Sequence, residues 1–152
     1  MTETGRSRRV RRAAVSLGAV VVAVAPLASV TAGYATTNCD GTSTCNATND
    51  PSSTATATGT DNSTSTANAA LLSTANSTAT DNSTSTANAA FGSNANSQAK
   101  EGGSSSVFVA PNQNGKAKSK NGGIATVNPL GVNCVGDAKA KLKTPGTKKQ
   151  KC

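Results

Sequence analysis

Asp61, Asp81 and Glu101 recur at intervals of 20 residues. Stacked one coil above the next, they would form a column with neighbours about 4.8 Å apart. At that separation two unit charges repel by roughly 1 kcal/mol in water and about 3.5 kcal/mol at an effective dielectric of 20. Such a column either splays into solvent or shares a hard, oxygen-seeking cation, and calcium is the ion this set points to. A second charged group is cationic: Lys139, Lys141, Lys143, Lys148, Lys149 and Lys151 crowd the C-terminal end. Residues 111–152 hold nine Lys against Asp137, a balance of +8, whereas residues 36–110 hold Lys100 against Asp40, Asp50, Asp61, Asp81 and Glu101, a balance of −4. A basic end of this kind suits an anionic polymer, and for an exported chain the polymers of the cell envelope are the expected partner. Beyond residue 35 there is no Arg and no aromatic residue interleaved with the lysines, so nucleic acid is not an expected partner.

Cys39, Cys45, Cys134 and Cys152 are the remaining reactive side chains. An even count in an exported chain reads as two disulfides with three connectivities open. Cys39 with Cys45 would close a short loop and leave Cys134 for Cys152. Zinc is a poor fit, because neither pair has CxxC spacing and the chain has no His. Catalysis finds no support either. There is no His for general-base work, no GxSxG and no glycine-rich phosphate loop, and the lysines lie in polar sequence that cannot depress a pKa. The expectation is a non-enzyme with no small-molecule substrate.

The compartment follows from the first 35 residues. Arg6, Arg8, Arg9, Arg11 and Arg12 precede an apolar run from Ala13 to Val30, and small residues then offer cleavage after Ala32 or after Ala35. This reads as an export signal over residues 1–35, by the general secretory or the twin-arginine route, and as a secreted or envelope-associated product. An uncleaved anchor is the competing reading, since the run is just long enough to span a bilayer.

Positioning these groups falls to a repeat. Thr58–Ser77 and Thr78–Ser97 match at 16 of 20 positions, and a period of ten lies inside the period of 20. Alternate residues are tiny: Ala55, Ala57, Gly59, then Ser65, Ala67, Ala69, then Ala75, Ser77, Ala79, and onward to Ala99. Thr, Asn or Gln lie between them. Strict alternation is the signature of strands with one face in and one out, and tiny inner residues require a second backbone close by. Only 12 of the 117 residues in 36–152 are large and apolar, which excludes a conventional core. Pro51, Leu71 and Phe91 form one column, and Asp61, Asp81 and Glu101 the other. One coil is then 20 residues, with two strands, an apolar corner and an acidic corner.

The expected fold is all-β: a short, narrow β-solenoid of two to three coils over residues 54–103. A Cys-containing segment (36–53) precedes it. A small β cap (104–136) follows, built from Val107–Ala110, Ile124–Val127 and Val132–Val135, and residues 137–152 form a disordered Lys-rich tail. Thr54, Thr56, Thr58, Thr64, Thr66, Thr84 and Thr86 would share a face as a flat hydroxyl–methyl lattice. The alternative is a largely disordered, O-glycosylated secreted spacer.

The alternation of small residues with Ser, Thr and Asn resembles the β-roll head repeats of trimeric autotransporter adhesins, over residues 44–103. That resemblance implies stacked short strands and self-association of the chain. The whole layout, a signal followed by Cys-Asp-Gly-Thr-Ser-Thr-Cys and Ser/Thr/Ala/Asn-rich repeats, resembles small secreted actinobacterial proteins of unknown function.

Overall fold

A computed structural model describes residues 33–152; the expected export signal over residues 1–35 lies outside them except for Gly33–Ala35. Every regular element is a strand: β1 (Ala35–Cys39), β2 (Thr44–Asn49), β3 (Thr54–Gly59), β4 (Thr64–Ala70), β5 (Thr74–Ala79), β6 (Thr84–Ala90), β7 (Asn94–Ala99), β8 (Ser104–Phe108), β9 (Asn114–Ser119), β10 (Ile124–Asn128), β11 (Gly131–Val135), β12 (Ala138–Lys143) and β13 (Gln150–Lys151). Odd strands build one sheet in the order β1-β3-β5-β7-β9-β12-β13, and even strands the other, β11-β10-β8-β6-β4-β2. Each strand up to β10 pairs in parallel with the strand 20 residues away, as in Ala55↔Ala75 and Thr64↔Thr84. The molecule is a β-solenoid of about five turns, and the repeat is ordered rather than largely disordered.

Its interior is made almost wholly of Ala and Ser. Ala55, Ala57, Ala67, Ala75 and Ala87 are fully buried between the sheets. The buried serines form a zigzag across the core. Ser65 Oγ donates to the Ser77 carbonyl (2.8 Å), Ser77 Oγ to the Ser85 carbonyl (2.7 Å), Ser85 Oγ to Ser97 Oγ (2.9 Å), and Ser97 Oγ to the Ser105 carbonyl (2.8 Å). Each hydroxyl is thus satisfied without water, as burial of a polar group demands. Corner serines act similarly: Ser63 Oγ and Ser83 Oγ accept from Thr60 N and Thr80 N and donate to the carbonyls of Ala79 and Ala99. Ser119 Oγ is the one buried side-chain oxygen among the described residues without a partner. It occupies the place where Gly103 lacks the hydroxyl that Ser63 and Ser83 supply in the coils above, since a Cβ on Gly103 would lie 2.8 Å from it.

The coil runs well past residue 103. β8, β9 and β10, expected in part as a cap, continue the parallel stack in the same register. Here Val107, Val109 and Val127 replace the tiny inner residues, and Gly115 makes room for them: a Cβ there would meet their methyl groups at 2.6–3.1 Å. Volume moves from one sheet to the other and the core stays filled. Residues 36–53 likewise form the first coil. Its Cys39–Cys45 disulfide spans Cα atoms 5.9 Å apart, and Gly59 stands beneath it where a Cβ would come within 3.0 Å of Cys45 Sγ.

Two strands reverse direction to close the lower end. β11 pairs antiparallel with β10, and β12 antiparallel with β9. The tail expected to be disordered therefore contributes a strand, because Ala138, Ala140 and Leu142 alternate with lysines and turn toward the core. Cys134–Cys152 ties the chain end back to this cap.

The upper end is finished differently. In most turns one backbone N–H bonds to the carbonyl of the coil above, as Asn82 N does to Asp61 O. In the first coil side chains take that place. Asp40 accepts from the Asp61 N–H, Asp50 from the Leu71 N–H, Ser52 from the Leu72 N–H and Thr42 from the Asn62 N–H. These bonds hold both carboxyls well below the ordinary range, at about 2: Asp40 chiefly through Ser43 and then the Asp61 N–H, and Asp50 through Ser53 and then the Leu71 N–H.

Candidate functional site

The turns set two edges of opposite character. At one corner Asp61-Asn62 and Asp81-Asn82 sit in the left-handed region, with φ of 55° and 62°, then 58° and 58°; Asn and Asp tolerate this region well. Glu101 takes the same place one coil on, at φ 51°. The expected acidic column is formed and is exposed. Among the described residues, however, no three His, Cys, Asp or Glu side chains come together as a group that would hold a metal ion. The calcium expectation rests on spacing alone.

The opposite corner carries Leu71-Leu72 in the same conformation, with φ of 55° and 62°, and Phe91 at φ 53°. For a bulky side chain the left-handed region costs roughly 1–2 kcal/mol per residue. That cost returns nothing to the core, because all three side chains point outward.

The flat faces differ along the solenoid axis. Thr54, Thr56 and Thr58 lie on the outer face of the odd sheet, whereas Thr64, Thr66, Thr84 and Thr86 lie on that of the even sheet. The expected single Thr lattice is split in two, because successive decamers alternate between the sheets. Amide ladders run down both faces: Asn68 Nδ2 to Asn88 Oδ1 (2.8 Å) on the even sheet and Asn94 Nδ2 to Asn114 Oδ1 (2.9 Å) on the odd one.

Below Asn114 the odd sheet changes from neutral to cationic. β9 presents Lys116 and Lys118 outward, and β12 presents Lys139, Lys141 and Lys143. The antiparallel register sets Lys139 directly opposite Lys118 and Lys141 opposite Lys116, and Lys151 of β13 lies opposite Lys141. Neighbouring strands are about 4.8 Å apart and alternate residues about 6.8 Å, so the ammonium groups form a two-dimensional grid. A depression of about 420 Å³ at its end is lined by Lys100, Lys118, Lys120 and Lys139 with Gln98 and Asp137. The ion pair there is Lys120–Asp137, at 3.3 Å.

Of the lysines expected to make the polymer contact, Lys139, Lys141, Lys143 and Lys151 stand on this sheet. Lys148 and Lys149 lie in the connection between β12 and β13. Lys116 and Lys118, which complete the grid, were not among the expected contact residues; the alternation Lys-Ala-Lys in β9, matching Lys-Ala-Lys in β12, is the signal that marks them. Among the described residues no helix is long and apolar enough to cross a membrane. No protein-family profile, curated protein sequence or solved structure matches the chain.

Proposed function

We propose that this is an exported, non-catalytic repeat protein that holds anionic cell-envelope polymers on the lysine grid at its lower end. The supporting observation is two pairs of like-charged neighbours, Lys118 with Lys139 and Lys116 with Lys141. Like charges directly opposite on adjacent strands weaken a sheet, and Asp137, the nearby acid, is engaged by Lys120. A surface that keeps such repulsion gains when a polyanion neutralises it. The side chains are all Lys rather than Arg, which suits point-charge contact with phosphate more than forked recognition of a single carboxylate. The two disulfides fit an oxidising compartment. The rest of the solenoid serves as a rigid polar stalk that carries the grid.

The test is retention of the oxidised chain on polyphosphate resin and on purified envelope fragments over a salt gradient. Wild type should elute at clearly higher salt than a Lys116→Gln, Lys118→Gln, Lys139→Gln, Lys141→Gln variant that melts no lower than wild type. Equal elution of the two would refute this role for the grid.

A further inference from the structure

The apolar corner is the second feature that the fold itself does not use. Leu71 is 46%, Leu72 78% and Phe91 54% exposed, and Phe108, on the outer face of β8 next to Asn88, is 55% exposed. Leu71, Leu72 and Phe91 also occupy left-handed backbone at positions where the acidic corner uses Asp, Asn and Glu. The stacked turns themselves hold this backbone, through bonds such as Leu71 N–H to Asp50 and Gly92 N–H to the Leu71 carbonyl. What the fold leaves unexplained is the choice of bulky apolar side chains there in place of Asn or Asp. Beside this ridge, on the even sheet, lies a shallow groove of about 380 Å³ lined by Asp50, Asn68, Ala70, Asn88, Ala90 and Phe108. Knobs and groove share one edge and repeat with one spacing, about 4.8 Å per coil. A two-fold rotation would set the knobs of one molecule against the groove of another, an isologous contact.

We infer that this edge pairs with a second copy of the chain. Charge favours that occupant. Across residues 48–53, 68–73, 88–93 and 108–113 the only ionisable side chain is Asp50, whose carboxylate bonds the Leu71 N–H. Two copies bring only one carboxylate each, at the groove end and already bonded to a backbone N–H, while an anionic lipid surface finds no lysine in the ridge to hold it. Area agrees. Four side chains of about 150–200 Å² each, open to these fractions, leave on the order of 400 Å² of apolar surface per copy. Two copies together bury about 800 Å², and the shallow groove floor adds little, so the contact falls in the range of weak, transient interfaces, below the roughly 1,200 Å² of stable ones. The dimer is weak and reversible, and it gives one particle two lysine grids, raising avidity for a polymer without new contacts. The pairing itself stands apart from the polymer reading.

Sedimentation velocity of the full oxidised chain over a concentration series, at low and high salt, tests this. The expected result is a monomer–dimer equilibrium that survives high salt, as apolar contacts do. A Leu71→Asn, Leu72→Asn, Phe91→Asn variant should remain monomeric and melt at least as high as wild type in dilute solution, because Asn accepts this backbone. Phe91→Glu, which copies Glu101 at the matching turn position, should weaken the dimer at least tenfold, and Val135→Thr on the far side should leave it unchanged. A wild-type chain that stays monomeric throughout would overturn the inference. So would association that dissolves in salt, since that marks pairing of the acidic corner with the lysine grid. Flotation of monomers with phosphatidylcholine vesicles would also overturn it, in favour of a lipid occupant.

Discussion

Reversing charge on β12 should strengthen the fold and abolish polymer retention together. In Lys139→Glu, Lys141→Glu each new carboxylate faces a lysine of β9, Lys118 or Lys116. A cross-strand charge pair contributes roughly 0.2–1 kcal/mol, with the sign set by the charges. Converting two repulsive pairs to two attractive ones should stabilise the domain by about 1–2 kcal/mol at low salt. For a domain of this size that corresponds to a rise of roughly 5 °C in melting temperature. Screening supplies an internal check. The Debye length falls from about 10 Å at 0.1 M salt to about 3 Å at 1 M, so the advantage should shrink toward zero at high salt. Lys148→Glu, Lys149→Glu makes the same change in net charge within the connection between β12 and β13; it should leave the melt nearly unchanged, which separates the cross-strand pairs from global charge. The measurement is a thermal melt of the three oxidised chains at low and high salt, paired with elution from polyphosphate. A less stable double variant, or a gain that ignores salt, would refute the register-based reasoning. Unaltered retention would refute the role of the grid.

The same substitution should have opposite signs at two core serines. Ser77→Ala removes the bond to the Ser85 carbonyl and should cost roughly 0.5–1.5 kcal/mol. Ser119→Ala removes a buried hydroxyl that has no partner and should stabilise by about 1 kcal/mol; urea melts of both variants decide. Acid should loosen the upper end first. Asp40 and Asp50 titrate at about 2 in the fold against about 3.9 in an unfolded chain. The stability they contribute is therefore full above about pH 4 and lost as pH falls through about 2. Asp40→Asn, Asp50→Asn should flatten the pH dependence of the melt across that window, and an unchanged slope would count against their capping role.

Much of the solenoid was legible because one physical constraint governs its interior. Two sheets packed as closely as these admit only Gly, Ala and Ser between them, so Ala55, Ala57 and Gly59 announce an inner face without any homologue for comparison. The acidic and apolar columns followed from the period alone. Legibility ended where compensation began. Val107 and Val127 break the small-residue rule, and nothing in the linear chain says that Gly115, on the opposite sheet, restores the volume. The alternation in Ala138–Lys143 was present, but the abundance of lysine made a strand look like a tail. The grid stayed hidden for a further reason. Lys118 meets Lys139 only because β12 runs antiparallel to β9, and that register follows from the reversal at the cap rather than from the 20-residue period.

A core this uniform has a consequence for where function can sit. Ala and Ser fill nearly every inner position of the repeat coils, with the serine hydroxyls bonded inside, so inner positions tolerate almost no change in volume. Outer positions are free by comparison, since they face solvent and need only suit a strand. Departures from the repeat are therefore informative according to the face on which they fall. Gly59, Gly115 and Ser119 depart on the inner face, and each is explained by a neighbour inside the molecule: a disulfide, a trio of valines, a missing corner hydroxyl. Leu71-Leu72, Phe91 and the lysines of β9 and β12 depart on outer surfaces, and no neighbour within the chain explains them. Residues of the second kind, whose side-chain chemistry the fold does not use, are the ones the proposed polymer and self-pairing contacts would account for.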